Sequence, residues 1–125
     1  MNIVTINKME ALIIDDETDI CYLLGSLLKK SDIDAKYVNT LRDAANILES
    51  TDPQIIFLDN HLPDGLGVNF IGFIKRFHPL SKIIMITAHD TVADVNKAYK
   101  EGVDYFIGKP FSKESINNVI ENIVH

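Results

Sequence analysis

Short, continuously apolar runs alternate along the chain with longer segments in which apolar residues recur every three or four positions. Apolar runs of about four residues bounded by polar or turn-forming residues are typical of strands buried on both faces of a sheet, and the longer period is typical of amphipathic helices. The pattern therefore predicts five strands, at residues 11–14, 35–38, 55–58, 83–86 and 105–107.

A helix is predicted after each strand, and local signals mark several helix ends. Thr18 or Asp19 is the candidate N-cap of the first helix and Ser112 that of the last, and Gly102 fits a C-cap. The fourth helix has a thin apolar stripe, so we expect it to pack weakly. The apolar stripes, in chain order, are Ile20/Leu23/Leu24/Leu27/Leu28, Leu41/Ala44/Ala45/Leu48, Phe70/Phe73/Ile74/Phe77, Val92/Val95/Tyr99 and Ile116/Val119/Ile120/Ile123.

Strands that alternate with helices imply βαβ units and a parallel sheet. The first, third and fourth strands are the most apolar and belong in the centre, whereas the mixed second and fifth belong at the edges. A sheet with the strand order 2-1-3-4-5 puts each strand in its expected place and allows every crossover to be right-handed. The pattern therefore predicts a doubly wound, flavodoxin-like α/β fold of five βα units. Residues 10–125 form this domain. Residues 1–9 are an N-terminal extension, whose segment 3–6 either pairs at a sheet edge or is a disordered overhang.

Composition narrows the class of protein. The chain has 125 residues, of which 46% are hydrophobic and 24% charged, as is ordinary for one soluble globular domain. No apolar run approaches the roughly 20 residues that span a bilayer, and the N-terminus does not resemble a signal peptide, so we expect a cytoplasmic protein. The net charge of −6 argues against direct nucleic-acid binding. The single Cys21 is interpreted as a buried structural thiol rather than a redox group.

Polar residues follow four of the predicted strands. Asp15 and Asp16 end the first strand, Asp59 the third, Thr87 the fourth and Lys109 the fifth. In an open parallel sheet, ligands bind outside the carboxyl ends of the strands. The fold therefore brings three carboxylates, a hydroxyl and an ammonium to one edge.

This combination indicates phosphoryl transfer. Carboxylates gathered in a cleft repel one another, and a hard divalent cation with oxygen ligands, most simply Mg²⁺, relieves the repulsion. Asp59 is then the attacking carboxylate, while Lys109 and Thr87 each bind a phosphoryl oxygen. Each residue alone has a simpler explanation: a helix N-terminus for the acids of the first strand, a turn residue, a strand end or a solvated charge. Their joint occurrence at strand ends favours the site.

Five segments around these strand ends form a specific combination: LIIDDE at 12–17, IFLD at 56–59, LPDG at 62–65, MITA at 85–88 and DYFIGKPF at 104–111. With them the chain resembles the receiver domain of response regulators, both single-domain chemotaxis-type regulators and the N-terminal receivers of transcriptional regulators. The resemblance covers about residues 9–124. It implies that a sensor histidine kinase or a phosphotransfer protein phosphorylates Asp59. It also implies that Asp16, Asp59 and the His61 main-chain carbonyl ligate Mg²⁺, with Asp15 acting directly or through water.

The resemblance further implies a switch and its surroundings. The Thr87 hydroxyl moves to the phosphoryl group, Phe106 turns inward, and the fourth helix, fifth strand and fifth helix present the result to an effector domain or protein, with homodimerisation a further possibility. Ala88, His89 and Pro110 neighbour the site, and the peptide bond before Pro110 is expected to be cis. His61 and His89 are either solvated loop residues or groups that orient or hinder the hydrolytic water.

Two other functions are compatible with parts of the pattern. One is an Mg²⁺-dependent phosphatase with an aspartyl nucleophile, although haloacid-dehalogenase-type enzymes carry a second Asp where this chain has His61. The other is a pseudo-receiver that binds a partner without being phosphorylated, although such domains usually lack part of the acidic set, which is complete here.

Overall fold

Within the residues that the structure describes, five parallel strands form the central sheet, and five helices connect and flank them. The structure is a computed structural model that describes residues 8–124, so the proposed pairing of segment 3–6 lies outside the described residues. The strands are β1 (Met9–Ile14), β2 (Ile33–Val38), β3 (Ile55–Leu58), β4 (Lys82–Thr87) and β5 (Tyr105–Gly108). The helices are α1 (Thr18–Lys30), α2 (Leu41–Leu48), α3 (Ile71–Phe77), α4 (Val92–Glu101) and α5 (Lys113–Val124).

The strand order is β2-β1-β3-β4-β5, which confirms the predicted doubly wound, flavodoxin-like topology. All four neighbouring pairs are parallel. Every residue of β3 is buried, as expected for the middle strand of a sheet covered on both faces, whereas most of β2 is exposed or half-buried. The apolar content of each strand thus predicted its place in the sheet.

Alternate residues of the strands enter two separate cores. Ile13 and Phe57 pack with Leu24 of α1 and Ile116 of α5 on one face. The neighbouring strand residues pack on the other face against α2, α3 and α4. Cys21 lies in the first core, where burial raises the pKa of its thiol to about 11, so the thiol is protonated at neutral pH, as a structural residue would be.

Several element ends and packing stripes differ from the prediction. Glu17, rather than Thr18 or Asp19, occupies the N-cap position of α1, and β1 already includes Met9. Ser112 caps α5 as predicted, because the hydroxyl of Ser112 accepts from the main-chain N–H of Ser115.

The stripes of α3 and α4 were predicted wrongly in detail. Phe77 is exposed, whereas Ile71 and Ile74 fill the core, so the buried face of α3 lies on the Ile71 side of the predicted stripe. A 3-10 turn at Gly67–Phe70 precedes the helix. In α4 only Ala98 is buried, while Val92 is 79% exposed. The expectation that α4 packs weakly is therefore strengthened. Within the described residues, no helix is long and apolar enough to cross a membrane.

The loop after β3 is tied to the start of α2 by one carboxylate. His61–Leu62 and Gly65–Leu66 form a short antiparallel hairpin, and Asp64 lies at its turn. Both oxygens of Asp64 accept main-chain hydrogen bonds at 2.9 Å, from Leu41 and Arg42. The carboxylate satisfies two free N–H groups of the helix, and these hydrogen bonds hold the Asp64 pKa below its usual range.

We predict that Asp64→Ala lowers the free energy of unfolding at pH 7 and that the difference from the parent shrinks in acid. The lowered pKa means that the folded state favours the carboxylate. Its contribution is therefore full above the ordinary Asp pKa of about 3.9 and is lost as the pH falls through the folded value. Urea unfolding at pH 7 and at decreasing acidic pH measures this. Glu49→Gln, at the other end of α2, is the control and should not destabilise; an equal loss in both variants would contradict the prediction.

Candidate functional site

Four strand ends deliver the polar residues of the site to one edge of the sheet. Asp15 directly follows β1, Asp59 follows β3, Thr87 is the last residue of β4 and Lys109 follows β5. Main-chain hydrogen bonds between neighbouring strands fix the positions of these residues relative to one another. The N–H of Asp59 donates to the Ile14 carbonyl oxygen at 2.9 Å, and the N–H of Lys109 donates to the Thr87 carbonyl oxygen at 2.9 Å. The structure therefore brings together the residues that the strand-end argument predicted.

Lys109 lies at the centre of the cluster. Its Nζ donates to Asp15 Oδ2 at 2.9 Å and Glu17 Oε1 at 3.0 Å, and it lies 3.5 Å from Asp59 Oδ2. The side chains of Lys109, Asp15 and Asp59 are all nearly removed from solvent, with 9%, 3% and 6% of their surface exposed. One ammonium thus binds acids from two different strands.

The burial of these charges changes their protonation equilibria. Burial raises the pKa of the Asp15 carboxyl, even though the hydrogen bond from Lys109 acts in the opposite direction. Burial also disfavours the Lys109 ammonium, but hydrogen bonds to Asp15 and Glu17 outweigh it and raise the Lys109 pKa above its ordinary value. Lys109 is therefore charged at all physiological pH values. Its single positive charge compensates only part of the negative charge of the carboxylates around it.

Asp59 is held in one orientation by its own loop. The main-chain N–H of Asn60 donates to Asp59 Oδ1 at 2.8 Å, which leaves Oδ2 on the side of Lys109. The buried Asn60 side chain accepts from the Val68 N–H at 2.9 Å and fastens the loop to the turn before α3.

Gly67 closes this loop, and it is a residue that the sequence argument missed. A Cβ at Gly67 would overlap the main-chain carbonyl oxygen of Asp59, while the Gly67 N–H donates to the Asn60 carbonyl at 2.7 Å. Only a residue without a side chain fits here. A Gly eight positions after a strand-end Asp is a weak signal by itself, because the close approach arises only after the loop folds back.

Thr87 and Phe106 lie on the same face of the sheet. The Thr87 side chain is buried, and its Oγ1 accepts from the His89 main-chain N–H at 3.2 Å. Thr87 is opposite Gly108 in the β4–β5 register, and Phe106 is opposite Met85, two positions earlier on each strand. Phe106 is half-buried against the core that contains Ala98 of α4.

The imidazole rings of His61 and His89 stack on each other beside Asp59 and Lys109, in the cleft that these residues line. Their rings are stacked, with centroids 3.6 Å apart and planes inclined by 30°. Both residues are exposed, as expected for solvated loops, yet neither the spacing nor the resemblance predicted their contact. The cleft of about 220 Å³ is lined by Asp16, Glu17, Asp59, His61, Thr87, Ala88, His89 and Lys109. Pro110 follows a cis peptide bond, as the resemblance implied.

The donor set fits a hard divalent cation. Asp15, Asp16, Glu17 and Asp59 each offer a carboxylate oxygen, and these oxygens lie within 4.8 Å of one another. A cluster of oxygen donors without sulfur or imidazole is the chemistry that Mg²⁺ prefers. Glu17 was not among the predicted site residues; its position directly after Asp15 and Asp16 was the available signal, but its contact with Lys109 was not predictable.

The chain is similar to known proteins over most of its length. The profile described as "Response regulator receiver domain" matches residues 11–121. The chain is 32% identical over 104 residues to the response regulator protein PilR of Pseudomonas aeruginosa, covering 83% of this chain and 23% of PilR. It is likewise 31% identical over 111 residues to the luminescence regulatory protein LuxO of Vibrio campbellii, covering 89% of this chain and 24% of LuxO. The chain thus spans about a quarter of the length of these relatives.

A solved structure of a receiver domain is also similar to this chain. The beryllofluoride-activated NtrC4 receiver domain dimer superposes with a TM-score of 0.86 at 38% sequence identity. The match covers 91% of this chain and 94% of that one.

We predict that Gly67→Ala destabilises the protein and disturbs Asp59, whereas Gly72→Ala does neither. The new methyl group at position 67 must displace the Asp59 main chain, and such overpacking costs about 1–3 kcal/mol. At Gly72, inside α3, a Cβ meets nothing within 4 Å, so Ala should stabilise the helix by roughly 1 kcal/mol. Urea unfolding and the amide chemical shifts of Asp59 and Asn60 measure both effects. Equal stability of the two variants would refute the assignment.

Proposed function

The chain belongs to the response regulator receiver domain family, and on that premise we propose that Asp59 accepts a phosphoryl group from a sensor histidine kinase or a phosphotransfer protein. The observation that carries the proposal is the convergence of Asp59, Lys109 and three further acids, namely Asp15, Asp16 and Glu17, at the carboxyl edge of the sheet. An Asp59 oxygen bonds to phosphorus while the bond from phosphorus to the donor's histidine nitrogen breaks. Asp59 thereby becomes an acyl phosphate.

The contacts of Asp59 support its role as the nucleophile. The Asn60 N–H holds Oδ1, so the carboxylate is oriented before any donor arrives. Lys109 lies within 3.5 Å of Oδ2 and would bind an oxygen of the incoming phosphoryl group, exchanging part of its contact with the acids for that oxygen. The Thr87 hydroxyl would bind a second oxygen. The protein's part in the reaction is therefore chiefly positioning and charge stabilisation.

Asp16, Asp59 and the His61 main-chain carbonyl are the residues that would hold Mg²⁺, with Asp15 direct or through water. When bound, the ion supplies positive charge near the transferring phosphoryl oxygens. Glu17 belongs to the same cluster of oxygens and adds a further donor that the resemblance did not single out. One ammonium balances only part of the charge of these four carboxylates, which is the electrostatic reason to expect a cation here.

The added charge is proposed to act through α4. Phosphorylation adds about −1.5 to −2 charges and three acceptor oxygens. The Thr87 hydroxyl then exchanges the His89 N–H for a phosphoryl oxygen, which pulls the loop between β4 and α4, and Phe106 turns inward on the same face. Because Ala98 is the one buried side chain of α4, moving this helix sacrifices little packing.

The surface of α4, β5 and α5 is the proposed output face. It would carry the change to an effector domain or a separate protein, and a homodimer could use the same surface. Because the curated relatives are about four times as long as the matched region, an effector on the same polypeptide is one form of this proposal.

The first test is formation of the adduct itself. With Mg²⁺ and a small acyl-phosphate donor, we expect one phosphoryl group per chain by intact mass, and beryllofluoride should bind in its place. Asp59→Asn should form neither adduct, whereas Asp43→Asn, which changes an exposed acid in the first turn of α2 outside the cleft, should form both. An adduct of undiminished yield in Asp59→Asn would disprove the assignment.

The second test separates phosphorylation from its transmission. Thr87→Ala keeps Asp59, Lys109 and the acids, so it should still bind beryllofluoride, but the amide resonances of α4 and the signals of Phe106 should lose most of their response. Thr51→Ala, whose hydroxyl donates only to Ile47, is the matched control and should respond like the parent. A full response in Thr87→Ala would show that the hydroxyl is not the relay.

The third test concerns the two stacked imidazoles. If the pair orients or hinders the hydrolytic water, His61→Ala and His89→Ala should each change the rate of dephosphorylation by more than twofold and in the same direction, because each removes the same stack. His78→Ala, a histidine at the end of α3 outside the cleft, is the control. Rates within twofold of the parent in both variants would leave the pair as solvated loop residues only.

A further inference from the structure

The outer edge of β2 carries charges in a self-complementary order. In the part of the chain that the structure describes, β2 pairs only with β1, so its other edge presents unpaired main-chain groups. Asp34 and Lys36 flank Ala35 and point to the same face of the sheet. Asp34 is 63% exposed and lies 3.4 Å from Lys8, whereas Lys36 has no ion-pair partner among the described residues.

We propose that this edge is an interface between two copies of the chain, in which β2 pairs antiparallel with β2 of the partner about a two-fold axis at Ala35. In that register Asp34 lies opposite the partner's Lys36, and Lys36 lies opposite the partner's Asp34. Directly opposed residues of an antiparallel pair have Cβ atoms about 4.5–5.5 Å apart, within reach of an ion pair. In a register that placed Asp34 opposite the partner's Asp34, or Lys36 opposite the partner's Lys36, the like charges would repel. In the register centred on Ala35, opposite charges face each other and attract.

The opposite face of β2 offers a place for an apolar side chain. The same register puts Tyr37 of the partner subunit opposite Ile33, next to a groove between β2 and α1. Gly25 lies on the α1 side of this groove, and a Cβ there would meet nothing within 4 Å. Gly is a poorer helix former than Ala, and the packing within one chain does not require Gly at position 25.

Tyr22 and Tyr37 form the rim of the groove. Their rings meet edge-on, with centroids 5.7 Å apart, and both side chains are exposed. The two exposed tyrosines would add apolar contact to the interface. Main-chain hydrogen bonds between the two strands, together with the two ion pairs, would set its orientation.

This interface is independent of the proposed phosphoryl site. β2 and β5 are the opposite edges of the sheet, so pairing through β2 leaves α4, β5 and α5 exposed. The two copies would form one ten-stranded sheet with a phosphoryl site on each copy. The inference therefore stands whether or not Asp59 is phosphorylated.

Sedimentation of the full chain across a series of protein concentrations tests the proposal. The unmodified chain should associate to a dimer. Asp34→Lys and Lys36→Asp should each raise the Kd for self-association by roughly tenfold or more, because two attractive pairs become repulsive. The double variant, with the charges exchanged, should recover the parent Kd, and it shows that a loss in the single variants is not a folding defect. A monomer at all concentrations, or a Kd that the single variants leave unchanged, would overturn the proposal.

Crosslinking fixes the register. Ala35→Cys places two thiols at the two-fold axis, so a short bis-maleimide should join the copies, whereas Leu80→Cys, in the exposed loop after α3, should not crosslink; the native Cys21 is buried. Failure of Ala35→Cys to crosslink in a sample that sediments as a dimer would overturn the register and with it the proposal. A chain that is monomeric and dimerises only after deletion of residues 2–7 would also overturn the proposal. That result would mean that the chain's own N-terminal segment, and not a second copy, occupies the edge of β2.

Discussion

The confinement of several carboxylates around one ammonium is the constraint on which the rest of the site depends. Lys109 reaches Asp15, Glu17 and Asp59 from the end of β5, and its side chain is almost fully buried in doing so. Like charges this close are tolerated only with compensation, and one lysine supplies part of it. The acids at this edge are therefore only partly compensated, which is the reason for our proposal that a cation and then a phosphoryl group bind here, with Lys109 and Thr87 contacting the phosphoryl oxygens.

The surrounding segments are closely packed on the Asp59 side of this arrangement and sparsely packed on the Thr87 side. Around Asp59, the Asn60 side chain and the close approach of Gly67 leave the carboxylate little freedom. Around Thr87, the next segment leads into α4, which buries a single side chain. A change of charge at the rigid centre is therefore most easily accommodated by movement on the α4 side, which is the physical basis for expecting the output there.

The sequence predicted what depends on apolar periodicity and on strand ends. The continuous apolar character of β3 determined its central place, and the polar residues that end β1, β3, β4 and β5 do converge. It could not predict what depends on how loops fold back. The burial of Ile71 in place of Phe77 depends on which side of α3 meets the core. The roles of Gly67 and Glu17, and the stacking of His61 on His89, likewise arise from contacts that no local pattern encodes.

The most direct measurement of the central claim is the free energy of unfolding as a function of Mg²⁺ concentration at constant ionic strength. An ion that binds only the folded site stabilises the protein by RT ln(1 + [Mg²⁺]/Kd). The account predicts a logarithmic rise in stability for the unmodified protein and a much smaller rise for Asp59→Asn. Stability that Mg²⁺ leaves unchanged, or raises equally in Asp59→Asn, would contradict the claim that these acids form a cation-dependent phosphoryl site.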